Sequence, residues 1–225
     1  MFVPDQYREP EATWMAELVR ENPLAQLSSN GDEGAAPYAT HVPVILDPQL
    51  RDLPSELPGV TLWGHMNRAN PQWAALASPT PVVVAFSGPH SYVSPTVYGT
   101  TPAAPTWNFT AVHIRGLLSR VDSEEDTLET VKATVRALEG RFGAGWDMSE
   151  SVDYFRRILP GVGAFRIAVS QADGMFKLSQ EQESGTRERV RCSFAGETSR
   201  NQREIAAMMG RLPSVPARVP SPGQP

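Results

Sequence analysis

From Trp107 to Val121 the chain alternates without interruption: Phe109, Ala111, His113, Arg115 and Leu117 fall on one face, and Thr110, Val112, Ile114 and Leu118 on the other. A period of two over that length predicts a long, central β-strand, and a strand of that kind needs extended partners. The flanking sequence offers them. Leu24–Ser28, the turn-forming SSNGDEG and Tyr38–Leu46 predict a hairpin with Asn30-Gly31 as its turn. Thr61–Met66 predicts a short strand. Pro81–Phe86 (PVVVAF) is a continuous β-branched run, expected to be buried on both faces. Ala164–Ser170 and Met175–Leu178 predict a second hairpin turning at Asp173-Gly174. Between these, Ser87 to Pro105 is polar and Pro-rich and predicts a long connection, a class of loop that is usually functional or a lid.

Helices are expected between the strands. Pro10 followed by EATWMAELVREN predicts the first, with Trp14, Met15, Leu18 and Val19 on its apolar side. Asn70-Pro71 opens a short helical turn reaching about Ala77. Ser123, with Asp126 three residues on, resembles a capping box; behind it Leu128, Val131, Val135 and Leu138 form one stripe ending near Gly140 or Gly143. Val152–Leu159 predicts a short helix, and Gln182–Leu212 two charged helices broken near Gly196. The regular βαβ rhythm of a nucleotide-binding parallel sheet is missing. The expected class is therefore α+β, mainly antiparallel, built as a small β-barrel with peripheral helices.

Composition narrows the function. Among 225 residues, 20 Lys and Arg stand against 25 Asp and Glu, and 40% hydrophobic with 20% charged residues is the balance of a folded globular chain. A net charge of −5 argues against a general DNA-backbone binder. The single cysteine, Cys192, rules out a disulfide framework or a Cys-rich metal site. MFVPDQYREPEATW lacks the basic flank and apolar run of a secretory leader, and no apolar stretch is long enough to span a bilayer, so a cytoplasmic location is expected. No GxGxxG after a strand, GxxxxGK[ST], HExxH or GxSxG motif occurs.

All four histidines, His41, His65, His90 and His113, fall in one third of the chain. His41 and His113 sit inside alternating patterns and read as strand histidines. His65 follows Gly64, which would let a flat group approach the backbone, and precedes Met66-Asn67-Arg68. Its spacing from the others does not suit a multi-histidine zinc site, whereas a single histidine suffices to ligate haem iron. Arg68 and Lys177 are candidates for an anionic group such as a phosphate, a propionate or an amino-acid carboxylate. Trp63, Tyr92, Tyr98 and Trp107 could stack on a flat cofactor, although strand aromatics are more often core.

The segments ATHVP, GHMNRANPQW, FSGPHSYVSP, PTWNFTAVHIRG, GVGAF and GMFKLSQ occur in an order that resembles the PaiB-like family of FMN-binding split-barrel proteins, from about Met1 to Gln182. That resemblance implies a six-stranded split β-barrel that forms a homodimer, with cofactor sites at the dimer interface. MFVP, VSPTVYGTTPAAPTWNFTAVH, RFGAGWDMSESVDYFRRILPGVGAFR and DGMFKLSQEQ further resemble the haem-dependent piperazate synthases of the same family. The implied activity is dehydrative N–N bond formation, closing N5-hydroxy-L-ornithine into L-piperazic acid in secondary metabolism. The implied cofactor is haem b, with FMN as the alternative. On this reading His65 of GHMNRAN is the iron ligand, and Trp63, Arg68 and Lys177 contribute to cofactor or carboxylate binding. His90, Tyr92 and Thr40 are the candidates for taking a proton from the α-ammonium. Two other readings stand beside it: an FMN-binding transcriptional regulator and a flavin oxidoreductase. The regulator would have to read DNA through Gln182–Leu212, where six Arg face four Glu, and the acidic chain argues against that. The implied organisation is a cofactor-binding barrel domain over 1–182, helices over 183–212 packed on it, and a disordered Pro-rich tail over 213–225.

Overall fold

A computed structural model describes residues 1–213; the Pro-rich segment from Ser214 onward, expected to be disordered, lies outside the described residues. Six strands, β1 (Leu24–Ser29), β2 (Tyr38–Leu46), β3 (Thr61–Asn67), β4 (Thr80–Val93), β5 (Thr106–Arg120) and β6 (Val162–Lys177), close into a barrel in the order β1-β2-β3-β6-β5-β4. The registered pairs β1/β2, β1/β4, β2/β3 and β3/β6 are all antiparallel. The α-helices among the described residues are α1 (Trp14–Glu21), α2 (Pro71–Ala75), α3 (Glu124–Phe142), α4 (Val152–Ile158), α5 (Ser184–Ala195) and α6 (Arg200–Arg211). The α+β split-barrel expectation holds. Among the described residues no helix is long and apolar enough to cross a membrane.

The alternation read in β5 is the barrel wall itself: Val112, Ile114 and Leu118 are wholly buried while Arg115 and Leu117 are exposed. Pro81–Phe86 departs from its expectation. It alternates too, with Val82, Val84 and Phe86 buried and Val83 and Ala85 only partly covered. A continuous apolar run conceals the period of two because both wall faces accept β-branched side chains. β4 also continues through Ser87–Val93, so the expected loop shrinks to residues 94–105, opened by a 3-10 turn at Pro95–Val97. Nor does the chain turn at Asp173-Gly174: β6 runs straight through, and Gly174 is not among the left-handed glycines that a tight hairpin needs. The left-handed residue in the β1–β2 connection is Gly34 (φ 80°), not Gly31. The helix α1 starts at Trp14 rather than beside Pro10.

The described residues divide into two compact units. The first comprises Met1, Glu11–Ser87 and Ala111–Gly174; the second comprises Phe2–Pro10, Gly88–Thr110 and the chain from Met175. In the first unit Leu27, Val44, Leu62, Val84, Phe86, Ile114, Phe165 and Ile167 are fully buried, each worth about 1.5–3 kcal/mol of burial. Two of its helices, α2 and α3, carry side-chain N-caps where the sequence places their starts. Asn70 accepts from the Gln72 amide at 2.9 Å with Pro71 in the first turn, and Ser123 accepts from the Asp126 amide at 3.2 Å. Glu124, Glu125 and Asp126 place negative charge at the positive end of α3. In the second unit Val190, Phe194, Ile205, Ala206 and Met209 supply the buried faces of α5 and α6.

Candidate functional site

On β3 the interior takes Leu62, Gly64 and Met66, so Trp63 and His65 point outward. Gly64 faces the core, and a Cβ there would lie 2.5 Å from the Phe165 ring. The flat group that closes on this glycine is therefore the protein's own phenylalanine. Register places Trp63 opposite Arg166 and His65 opposite Ala164, which puts these four residues on one outer face of the β3/β6 pair. The Arg166 guanidinium stacks 3.5 Å above the Trp63 ring and donates to Thr130 Oγ1 of α3 at 2.8 Å. Burial pushes the Arg166 pKa down, with Asp126 and Asp47 opposing from a distance.

His65 Nδ1 is buried and has no hydrogen-bond partner among the described residues. Burial lowers the pKa of this imidazole, so it is neutral and carries a free lone pair at physiological pH. A half-buried, neutral, unpartnered imidazole on an outward face is the donor a metal-bearing cofactor requires.

At the end of β3, Arg68 is exposed and donates through Nε to Val162 O at 2.8 Å, with its guanidinium 5.9 Å from the Trp73 ring centre. Arg120 stacks on the same indole at 4.8 Å and donates to the Trp73 carbonyl. Trp73 in turn occupies the space beside Gly163, where a Cβ would meet the ring at 2.6 Å. Thr40 shares the face of Val42 and Val44 on β2, and its hydroxyl accepts from Asn70 Nδ2 at 3.1 Å. Gln72 is fully buried, donating to Leu27 O at 3.3 Å and Ser29 Oγ at 3.0 Å, while its Oε1 has no partner among the described residues. His41 is exposed, and burial lowers the pKa of the half-buried His113.

In the second unit, His90 and Tyr92 lie on the outer face of β4 and both pack on Trp107 of β5, at 5.5 and 6.2 Å between ring centres. Tyr92 and Trp107 are about half exposed. Lys177, at the end of β6, donates to Thr106 Oγ1 at 2.6 Å and sits 5.6 Å from the Tyr7 ring centre. Tyr98 is not a stacking surface: it is buried, and its hydroxyl has no partner among the described residues.

The structure thus gathers Trp63 and His65 on one face and His90 and Tyr92 about one indole. Sequence reading passed over Arg166, although a lone arginine inside the apolar run VGAFRIAV was the available signal.

The model of the family described as "Putative FMN-binding domain" matches residues 1–171. The chain belongs to this family. Within it, the chain is similar to the protease synthase and sporulation protein PAI 2 of Bacillus subtilis, 27% identical over 210 residues that cover 93% of this chain and 96% of the relative. Its fold is similar to that of a conserved hypothetical protein of Mycobacterium tuberculosis (TM-score 0.53, 15% identity, 80% of this chain and 92% of the other). It is also similar to an FAD and heme binding protein of Mycobacterium smegmatis (TM-score 0.52, 14% identity, 80% and 79%). The PaiB-like expectation therefore holds for the family and the barrel.

Proposed function

We propose that this member of the family binds haem b through His65 and, as a homodimer, closes N5-hydroxy-L-ornithine into L-piperazic acid with loss of water. The observation that carries the reading is the His65 imidazole, outward-facing, kept neutral by burial and unpartnered at Nδ1. Trp63 and Arg166 share its face, offering a flat apolar surface and a fixed cation for a carboxylate-bearing planar cofactor. When bound, haem iron supplies a Lewis acid that eases departure of a hydroxylamine oxygen.

The reaction balances without an external electron donor: the N–O bond breaks, the α-nitrogen forms the N–N bond, and water leaves. The α-ammonium must first lose a proton, because a protonated amine has no lone pair. Of the three candidates, His90 carries an imidazole, the side chain most often used as a general base, and its ring is exposed against Trp107. The Thr40 hydroxyl is already an acceptor for Asn70 and serves better as a positioning group. Tyr92, half exposed beside the same indole, orients rather than deprotonates. Arg68, tied by one nitrogen to the Val162 carbonyl, keeps other N–H groups for an anionic substituent.

A flavin reading has one specific support, the family's own description as FMN-binding. It would make the protein a flavin oxidoreductase or a PaiB-like regulator. Absorption spectroscopy separates the two. Titration of the purified chain with hemin is expected to give a Soret band that His65→Ala abolishes, and incubation of the loaded protein with N5-hydroxy-L-ornithine to give a product lighter by one water. Indifference to hemin together with retention of FMN would overturn the proposal.

A further inference from the structure

A pocket of about 490 Å³ lies between the last turns of α1 and α3 and the loop that joins β2 to β3, wholly within the first unit. Val19, Pro23, Ile45, Leu46, Leu53 and Leu138 give it an apolar wall. Two large apolar side chains on the same lining stay open to water: Leu50 from the loop, 41% exposed, and Phe142 at the end of α3, 52% exposed. A concave apolar wall of this size with a few polar groups around it is the ordinary form of a small-molecule site. None of Trp63, His65 and Arg166 lines it, so it is separate from the face assigned to the cofactor.

The charge around this wall is the reverse of the chain's. Four arginines line the pocket, Arg20, Arg51, Arg136 and Arg141, against the aspartates Asp47 and Asp52, whereas the chain as a whole carries −5. Arg20 and Arg141 occupy the last turns of α1 and α3, where a cation offsets the negative helix end. Both meet one carboxylate, that of Glu21, with Arg20 at 3.5 Å. Arg136 pairs with Glu129 at 2.7 Å. Arg51 differs from all three. It sits on the loop, away from any helix end, and enters no ion pair or hydrogen bond among the described residues. Asp47 accepts from the Gln49 amide at 2.9 Å, and Asp52 makes no ion pair with its neighbour among the described residues. An unpaired guanidinium beside an apolar wall is the complement of a carboxylate whose remainder is apolar.

We propose that this pocket binds an aliphatic carboxylate, its head on the Arg51 guanidinium and its hydrocarbon body along the wall. The N–H fork of an arginine matches the two oxygens of a carboxylate, and three further arginines nearby disfavour a cationic head. A hydrocarbon body lying against Leu50 and Phe142 removes apolar surface that the free protein leaves in water. Gly140 keeps the volume open: it lines the pocket from α3, and a Cβ there would meet nothing within 4 Å. The site depends on neither the haem nor the flavin reading.

The test is isothermal titration calorimetry of the full chain with octanoate, against acetate, which lacks the apolar body, and 1-octanol, which lacks the charge. Affinity is expected to rise about two- to fourfold for each methylene added between butanoate and octanoate. Octanoate is expected to bind about tenfold more tightly than 1-octanol. Arg51→Gln is expected to erase that advantage and to leave the dependence on chain length. Gly140→Leu, which fills the pocket, is expected to weaken octanoate about tenfold. It should melt at or above the wild-type temperature, because leucine is the better helix former. Hemin titration is expected to be the same in both variants as in the wild type. Octanoate bound no more tightly than acetate, a preference over 1-octanol that survives Arg51→Gln, or octanoate affinity unchanged in Gly140→Leu overturns the inference. Octanoate binding of the expected pattern in a chain indifferent to hemin would sink the haem reading and leave this site standing.

Discussion

Substituting Gly64 by alanine tests the packing that aims His65 outward. The added Cβ would lie 2.5 Å from Cε2 and Cζ of Phe165 and 3.1 Å from the Pro43 carbonyl oxygen. Phe165 is fully buried, so its ring has no solvent to retreat into, and the Pro43 oxygen belongs to the neighbouring strand. Overpacking of this kind costs about 1–3 kcal/mol. Alanine also restricts the unfolded chain, which returns about 0.4–1 kcal/mol. The net loss is about 1–2 kcal/mol, and for a chain of this size each kcal/mol shifts Tm by about 2–4 °C. A fall of roughly 2–8 °C is expected by calorimetry. Gly140→Ala is the matched control: it sits in α3 with nothing within 4 Å of the new Cβ, so it is expected to raise stability by about 0.5–1 kcal/mol. Phe165→Leu, which removes the clashing atoms, is expected to cost less in the Gly64→Ala background than in the wild type. Gly64→Ala melting at or above wild type, or strict additivity with Phe165→Leu, would refute the reasoning.

The remaining expectations are more local. His65 has a folded-state pKa below its unfolded value, so in cofactor-free protein the unfolded chain takes up the proton first as pH falls. Its contribution is fully present above about pH 6.5 and lost below it, with a slope of at most about 1.4 kcal/mol per pH unit. Urea melts between pH 5 and 8 are expected to show a shallower slope for His65→Ala, with the residual slope including His113; an identical slope would count against the burial argument. Arg166→Lys keeps the charge but loses the planar stack on Trp63 and the fixed hydrogen bond to Thr130. It is expected to cost about 1–2 kcal/mol in urea melts and to change Trp63 fluorescence, and a silent substitution would show that the stack contributes nothing.

Much of the barrel was legible because its walls obey a period of two that composition does not blur. β5 announces itself by polar residues on alternate positions, and β1, β2 and β3 by turn residues at their ends. Two of the departures from expectation, the loop placed at Ser87–Pro105 and the turn placed at Asp173-Gly174, share one cause. Gly and Pro in SGPHSYV, and Asp-Gly in ADGMF, carry the local signals of turns, but each lies in a strand that neighbouring strands hold extended. Gly174 is buried, and Gly88 and Pro89 are buried as well, with the Pro89 carbonyl accepting from Thr110 Oγ1 at 3.3 Å. Tertiary pairing outweighs a turn preference worth only a fraction of a kcal/mol to about 1 kcal/mol.

That cause also decides how much of the functional surface could be read. His65 stood out because a histidine beside a glycine on a short strand is visible in one dimension, although the glycine's role is to admit Phe165 and not a ligand. His90, Tyr92 and Lys177 were picked from segments read as a loop and as a hairpin arm. They are in fact rigid strand residues: β4 carries the first two against Trp107, and β6 carries Lys177 to Thr106 and Tyr7. A side chain on a strand keeps its direction to within the pleat, whereas one on a loop does not, so extension of β4 and β6 fixes where these motif residues point. Arg166 and Tyr98 needed the third dimension: Arg166 meets Trp63 and Thr130, both distant in sequence, and the Tyr98 hydroxyl is enclosed with no partner among the described residues. A cation stacked on the indole of a neighbouring strand and a buried hydroxyl with nothing to bond among the described residues are set by packing, which no spacing along the chain encodes.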